Sequence, residues 1–329
     1  MRQERRQERR RLWQEGCGLR QKGGQERRRV QQERCQGRQQ GRREKGRGLQ
    51  QERRLLQQKV NQAAPAAVLR GWGLGYRREM ADWDVSAIPA DFFEVAPENW
   101  LRRDRERLHE LRAGGRAVHL HGVSLNLGGT SPVPVDFLRQ VRHLMAELGT
   151  PHYSDHLAAS GDAHQLYDLF PIPFTETEAD RVADRIRAAQ DVLGCRMAVE
   201  NATWYTNVGG MGEAEFVARV LDRADCQMLL DVNNLAVNHK NHGGLTASEF
   251  VATVDPRRVS YVHVAGHEFD ERFGLHIDTH SQPVEPPTAE LARRLRREWG
   301  CPVLLEWDND VPDLPTLKRE LQWLASTTT

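Results

Sequence analysis

The stretch "MAVENATWYTNVGGMGEAEFVARVLDRADCQMLLDVNN", residues 197–234, contains two strand patterns separated by one helix pattern. The strand patterns are "MAVEN" (197–201) and "CQMLLDVNN" (226–234), each a short apolar run that ends in polar residues. Between them, "GEAEFVARVLDRA" repeats its apolar residues at the spacing of an amphipathic helix. A strand, a helix and a strand in succession are typical of a parallel sheet in which the helix crosses over one face.

The same alternation extends to both sides of this unit. Six further strand patterns are "LRGWGLGYR" (69–77), "FFEVAPEN" (92–99), "AVHLHGVSL" (117–125), "HYSDHL" (152–157), "VSYVHVAGH" (259–267) and "PVLLEWD" (302–308). Helix patterns such as "VDFLRQVRHLMAEL" and "TETEADRVADRIRAAQDVLG" separate most of them, although the connection after the first strand has little helix signal. This alternation predicts an α/β fold, a TIM (β/α)8 barrel, over residues 63–329.

Residues 1–62 differ in composition from the rest of the chain. The first 60 residues contain 20 Lys/Arg and 7 Asp/Glu, whereas the remainder contains 27 and 39. Few apolar residues interrupt this Arg/Gln-rich segment, so we expect a disordered, low-complexity basic extension or a mis-assigned start. Its charge also raises the alternative of a protein that binds nucleic acid through this tail, although we do not expect nucleic acid as the main partner.

The sequence predicts a cytoplasmic protein with no membrane segment. No apolar run approaches the roughly 20 residues that a helix needs to cross a bilayer. The five cysteines show no paired spacing. We therefore expect reduced thiols rather than a disulfide framework.

Most predicted strands end in a carboxylate or an imidazole. These residues are Glu94, Glu98, His121, Asp155, His156, Glu200, Asp231, His263, His267, Glu306 and Asp308, with the amides Asn201, Asn233 and Asn234 beside them. In (β/α)8 barrels the carboxyl ends of the strands form the active site. Burying so many ionisable groups is costly unless a cation neutralises them, so the pattern predicts bound metal.

Each of these residues alone has a simpler interpretation. A single histidine at a strand end is more often a hydrogen-bonded core residue, and "DVNN" could serve only as a helix cap. The coincidence at successive strand ends favours metal, and the number of ligands predicts at least two ions with Glu200, Asp231 or Glu306 as a bridge. In "GLHIDTH" (274–280), an extended backbone would direct Asp278 and His280 to one side, whereas we leave His276 out of the site and expect His119 to point away from His121.

Eight motifs in order resemble a known family. They are "HLHGVSLNLG", "YSDHLA", "YDLFPIPFT", "AVENATWY", "LLDVNNLAVNHKNHG", "YVHVAGHE", "HIDTHSQPV" and "LLEWDND". Over about residues 70 to 325 the chain resembles the UPF0276 (DUF692) family of multinuclear non-haem iron-dependent oxidative enzymes, and it is similar to the peptide oxidases of methanobactin and thiaglutamate biosynthesis.

The resemblance implies a set of iron ligands. The two core sites would be formed by His121, His156, Glu200, Asp231, His263 and Glu306. A third iron would be held by Asn234, Asp278 and His280. The resemblance also places His267 near the substrate and makes Asp155 a carboxylate that orients an imidazole.

The resemblance further implies a function. The cofactor would be two or three iron ions of mixed Fe2+ and Fe3+ state, with O2 as co-substrate. The substrate would be a cysteine of a ribosomally synthesised precursor peptide, delivered by a small partner protein that recognises the leader. A sugar isomerase or phosphodiesterase of the xylose-isomerase-like barrels is the alternative within the same fold.

Overall fold

The computed structural model describes residues 69–161, 165–206 and 209–326, and in these residues eight strands form a closed parallel barrel. The barrel strands are β1 (Trp72–Gly75), β2 (Phe92–Val95), β3 (Ala117–Gly122), β4 (Tyr153–His156), β7 (Ala198–Glu200), β8 (Gln227–Asp231), β9 (Val259–Val264) and β12 (Val303–Leu305). They follow one another around the barrel in chain order, and β12 pairs with β1 to close it. The predicted TIM barrel is therefore confirmed, with each strand inside its predicted segment.

Helices cover the outside of the barrel. They are α1 (Glu106–Arg112), α2 (Val135–Leu148), α3 (Glu176–Leu193), α4 (Glu213–Ala224), α5 (Val232–His242), α6 (Ala247–Val251), α7 (Pro286–Trp299) and α8 (Leu314–Ala325). The cap signals of the sequence set their ends: Thr175 accepts a hydrogen bond from the Glu178 N–H at the start of α3, and Gly194 adopts a left-handed conformation at its end. Between β1 and β2 the structure contains only the 3-10 turns Arg78–Met80 and Val85–Ala87, as the weak helix signal there predicts.

Two apolar clusters hold the barrel together. The larger one lies between the strands and the helices, where α2 contributes Leu138, Val141 and Leu144 from one face. The smaller one fills the barrel interior with residues from several strands, including Phe92 and Leu304. The polar strand ends therefore rest on a rigid, packed base.

Two antiparallel hairpins extend from the barrel and were not predicted. One pairs β5 (Ala159–Gly161) with β6 (Gln165–Phe170), and the other pairs β10 (Glu268–Asp270) with β11 (Leu275–Ile277). Each follows a barrel strand, β4 or β9, that ends in predicted site residues. The hairpins therefore add to the carboxyl face of the barrel.

The predicted basic extension, residues 1–62, lies outside the described residues. Its disorder, a mis-assigned start and a role in binding nucleic acid stay predictions. Among the helices of the described residues, none has the length and apolar character that crossing a membrane requires.

Candidate metal centre

The register of the parallel strands brings the predicted ligands together. His156 on β4 lies beside Glu200 on β7, and Asp231 on β8 lies beside His263 on β9. Glu306 follows directly after β12, and His121 is the last residue but one of β3. Because parallel strands in one barrel end at the same face, these side chains meet above the barrel interior.

The described carboxylates and imidazoles form three groups with the geometry of metal sites. The inner group is His121, His156 and Glu200, the middle group is Glu200, Asp231, His263 and Glu306, and the outer group is His280, Glu306 and Asp308. In each group the ligand atoms lie within 4.8 Å of one another. Glu200 belongs to the first two groups and Glu306 to the last two, so two carboxylates link all three.

In the inner group, two imidazoles converge on one carboxylate oxygen. His121 Nε2 lies 3.0 Å and His156 Nε2 lies 3.2 Å from Glu200 Oε2. Their other ring nitrogens are held outside the site, His121 Nδ1 at 2.9 Å from Ser154 Oγ and His156 Nδ1 at 3.1 Å from the Gly122 carbonyl. A His156 Nδ1–H that donates to this carbonyl leaves the lone pair of Nε2 directed at the site, as metal-binding histidines require.

The middle group has His263 at its centre. Its Nδ1 lies 3.3 Å from Glu200 Oε1 and 3.0 Å from Glu306 Oε2, while its Nε2 lies 2.9 Å from Glu94 Oε2. Burial alone would lower the pKa of His263, but Glu94, Glu306 and Glu200 together raise it well above its usual range. The imidazole therefore lies in a strongly negative environment that favours a cation.

Asp231 has two separate functions in the structure. Its Oδ1 accepts a hydrogen bond of 2.6 Å from the Asn234 N–H and so caps α5. Its Oδ2 is buried and has no hydrogen-bond partner among the described residues. Burial, and then the charges of Glu200 and Asp278, raise the pKa of Asp231 well above its usual range. The capping interpretation of "DVNN" is therefore correct for one oxygen, and the other oxygen faces the site.

The outer group is built around His280. Its Nδ1 lies 3.3 Å from Asp308 Oδ2 and 3.4 Å from Glu306 Oε2, and its Nε2 lies 2.8 Å from Asp278 Oδ1. Asp278 and His280 do converge, but not through an extended strand. The strand β11 ends at Ile277 and His280 has a positive φ of 48°, so a turn brings the two side chains together.

Asn234 and Asp278 lie close to the outer group, and Thr203 connects them. The Thr203 hydroxyl lies 2.8 Å from Asn234 Oδ1 and 3.0 Å from Asp278 Oδ2. Thr203 was not predicted as part of the site, because a threonine in the loop after β7 has no signal of its own. Asp308 was not predicted as a ligand, although its position two residues after Glu306 matches the alternation of an extended chain.

Asp155 is buried beside the inner group. Its carboxylate accepts hydrogen bonds from the Tyr153 hydroxyl at 2.6 Å and from the His156 backbone N–H at 2.9 Å. Since the His156 imidazole is bound to Gly122, Asp155 fixes the backbone of a ligand and not its ring, which differs from the expected contact with an imidazole.

His267 lies behind the outer group. Its Nδ1 is 2.7 Å from Asn233 Oδ1, and its Nε2 is 2.8 Å from Lys240 Nζ. Asn233 in turn donates a hydrogen bond of 2.7 Å to Asp278. His267 is therefore connected to the site through one intervening side chain.

The sequence also led to predictions for two other histidines, that His276 lies outside the site and that His119 points away from His121. His276 lies next to His267, with ring centroids 5.4 Å apart, and belongs to none of the three groups. The expectation that His119 points away from His121 is wrong. The His119 ring is buried 4.6 Å from that of Tyr261, inside the barrel, because residues two apart in a strand share a face.

The donor atoms of the three groups fit a metal centre. In the inner and middle groups, four buried side-chain atoms make no hydrogen bond of acceptable geometry within the described residues, namely His121 Nε2, Glu200 Oε2, Asp231 Oδ2 and His263 Nδ1. Buried polar atoms without partners are costly, and these four belong to the inner and middle groups. A mixed set of imidazole and carboxylate ligands without cysteine suits iron, manganese or an open zinc site.

A cavity of about 320 Å³ opens onto these groups. Its lining includes ligands from the inner and outer groups, and also Arg77, Glu94 and Tyr205. Arg77 follows β1 and was not predicted as part of the site. The cavity gives a small part of a larger substrate access to the outer group and to Glu200.

Solved structures share the fold. A 3-keto-D-glucoside 4-epimerase from E. coli aligns with a TM-score of 0.54 and 13% identity, over 78% of this chain and 98% of that one. A D-tagatose 3-epimerase-like protein aligns with a TM-score of 0.54 and 15% identity, over 77% and 96% of the two chains. At such low identity the likeness shows the barrel alone.

Curated relatives are much more similar in sequence. A UPF0276 protein of Pseudomonas aeruginosa is 41% identical over 264 residues, which cover 76% of this chain and 89% of that protein. A UPF0276 protein of Neisseria gonorrhoeae is 41% identical over 262 residues, which cover 77% and 93%. The family model described as "RiPP precursor modification enzyme MbnB/TglH/ChrH" matches residues 71–329. The chain, with its linked ligand groups, therefore belongs to the UPF0276 proteins and to the MbnB/TglH/ChrH family of enzymes that modify ribosomally synthesised precursor peptides.

Proposed function

We propose that the protein is a multinuclear iron-dependent oxidative enzyme that uses O2 to modify cysteine residues of a ribosomally synthesised precursor peptide. The observation that carries the proposal is the linkage of three ligand groups by two shared carboxylates, Glu200 and Glu306. Adjacent ions bridged by a carboxylate can bind two reactants side by side. The family match supports a peptide substrate.

The ligands are assigned by group. His121, His156, Glu200, Asp231, His263 and Glu306 would hold the two core irons. Asn234, Asp278 and His280 would hold the third iron, to which Asp308 would also offer an oxygen. When bound, iron in a mixed Fe2+ and Fe3+ state supplies the one-electron chemistry with O2 that none of the side chains can supply.

The protein side chains orient the ligands and the substrate. Asp155 holds the backbone of His156, while Asn233 connects His267 to Asp278. The cavity admits a cysteine side chain with its neighbouring peptide groups, for which Asn99 and Asn309 in the lining offer amide hydrogen bonds. Holding the thiol and its adjacent C–H bond next to the reacting centre provides catalysis by proximity.

A partner and a compartment follow from this proposal. A cysteine substrate must stay reduced until it is modified, which suits the cytoplasm. The cavity is too small to enclose a leader segment, so we propose that a separate small protein recognises the leader and presents the peptide.

Anaerobic purification followed by metal analysis and turnover tests the proposal. We expect two to three irons per chain and O2-dependent loss of the thiol from a cysteine-containing precursor peptide. His156→Ala should lose iron and activity, whereas His143→Ala, on α2 outside the three groups, should retain both. Turnover of a sugar with Mn2+ or Zn2+ and without O2 would instead support the xylose-isomerase-like alternative.

A further inference from the structure

We propose that Arg77 competes with the metal ion of the outer group. Its guanidinium weakens metal binding in the outer group but not in the inner and middle groups. This inference rests on the proposed metal centre and deepens it. It concerns the number of ions that the protein holds at a given metal concentration.

Arg77 binds both carboxylates of the outer group. Its Nε donates a hydrogen bond of 2.5 Å to Asp308 Oδ1, and its Nη2 donates one of 2.7 Å to Glu306 Oε1. These are charge-assisted contacts, and the planar guanidinium reaches two acceptors at once. The outer group is therefore partly neutralised by the protein itself.

The contacts divide the oxygens of Glu306 between two neighbours. Oε1 binds Arg77, whereas Oε2 lies 3.0 Å from His263 Nδ1 on the side of the middle group. Asp308 is divided in the same way, with Oδ1 on Arg77 and Oδ2 at 3.3 Å from His280. Arg77 thus occupies only oxygens on its own side, and the middle group keeps its Glu306 oxygen.

The position of Arg77 is built into the barrel. A Cβ atom on Gly75, the last residue of β1, would lie 2.8 Å from Arg77 Nη1. The guanidinium therefore lies close to the end of β1, and the side chain is 19% exposed. Burial alone would lower the pKa of the Arg77 guanidinium, but Asp308, Glu306 and Glu94 together raise it above its usual range.

A divalent ion in the outer group must approach this fixed positive charge. The like charges repel at short range in a partly buried site. Arg77 also leaves the ion only one oxygen of each carboxylate, Asp308 Oδ2 and Glu306 Oε2, and the second of these also faces the middle group. Arg77 has one alternative acceptor in the same cavity, because Glu94 Oε1 is buried without a hydrogen-bond partner among the described residues. The outer group should therefore fill last and bind most weakly.

The test compares Arg77→Gln, which keeps hydrogen-bond donors but loses the charge, with Arg77→Lys, which keeps the charge. Arg219→Gln is the matched control, since Arg219 pairs with Glu176 and Glu215 on the helical surface. Metal-free proteins are titrated anaerobically with Fe2+ or Mn2+ alone, without peptide or O2. Calorimetry and metal analysis give the number and affinity of the sites.

We expect Arg77→Gln to bind the weakest ion at least tenfold more tightly, with the two tighter sites unchanged. Arg77→Lys and Arg219→Gln should resemble the parent protein. If metal-free Arg77→Gln does not fold, the same comparison is made by the metal-dependent rise in Tm after purification with Mn2+, and this rise should exceed that of the parent.

Two results would overturn the inference. Equal or weaker outer binding in Arg77→Gln would mean that Arg77 orients the carboxylates as ligands and does not compete with the ion. A failure of all variants, including the parent, to bind metal would remove the metal centre and the proposed function with it. The first result leaves the proposed function intact, so the two failures are distinguishable.

Discussion

His263 Nε2 lies 2.9 Å from Glu94 Oε2, on the opposite side of the ring from Glu200 and Glu306. The Tyr261 hydroxyl donates a hydrogen bond of 2.6 Å to the same Glu94 oxygen. Glu94 therefore holds the Nε2–H of His263 and leaves Nδ1 free to bind metal. A carboxylate behind a ligand imidazole fixes its tautomer and increases its basicity.

This relationship extends to the inner group. Tyr261 contacts the Ser154 hydroxyl at 2.8 Å, and Ser154 contacts His121 Nδ1 at 2.9 Å. One carboxylate thus ends a hydrogen-bonded chain that orients imidazoles of two groups. Loss of the Glu94 charge should therefore affect both the inner and the middle group.

Glu94→Gln is expected to lower the metal affinity of the inner and middle groups by roughly 10- to 100-fold, the usual effect of losing such a supporting group. Anaerobic metal titration measures this. Glu98→Gln is the control, because Glu98 follows the same strand but binds the Val123 backbone N–H. An unchanged metal affinity in Glu94→Gln would show that its charge does not support the ligands.

Asp231→Ser separates capping of α5 from metal binding. Serine retains an oxygen for the Asn234 N–H but has no second oxygen to face the site. We expect Asp231→Ser to lose metal while remaining about 1 kcal/mol more stable, in metal-free form, than Asp231→Ala. Urea unfolding and metal analysis of the two variants measure both effects. Full metal content in Asp231→Ser would exclude Asp231 as a ligand.

His280→Ala should remove only the outermost ion. The imidazole contacts Asp278, Asp308 and Glu306 but neither histidine of the inner group. We expect metal content to fall by about one ion per chain, with loss of peptide oxidation. His276→Ala is the control, because His276 lies outside the three groups. Loss of all metal from His280→Ala would show that the three groups bind as one unit.

The barrel could be predicted from the sequence because both of its signals are local. Strands buried on both faces give apolar runs, and capped amphipathic helices lie between them. The strand-end ligands follow from the same reasoning, since a strand end is visible in the sequence.

Contacts that depend on barrel closure could not be predicted in this way. Arg77 and Asp308 are 231 residues apart and meet only because β12 pairs with β1. The convergence of His280 with Asp278 depends on a positive φ at a residue that is not glycine, which the alternation of a strand does not foresee. Glu94 was visible as a strand end, but its use as support for His263 depends on the distance between β2 and β9.

Glu213, which lies outside the metal centre, should make the stability of the protein depend on pH. Burial raises the pKa of Glu213 from 4.5 to about 7, although hydrogen bonds from Trp204 and Asn238 oppose the shift. Between these two pH values the folded state retains a proton that the unfolded state has lost. The free energy of unfolding should therefore fall as the pH rises through this window.

Glu213→Gln removes this contribution, because the amide cannot ionise. Relative to the parent, the variant should become more stable between pH 5 and pH 8 by on the order of 2 kcal/mol, reduced from the full shift because Glu213 is partly exposed. Urea unfolding at the two pH values measures the difference, and Glu290→Gln, at an exposed position on α7, corrects for general effects of charge. A pH dependence equal to that of the parent would mean that Glu213 is already ionised in the folded protein at pH 5, and that Trp204 and Asn238 outweigh its burial.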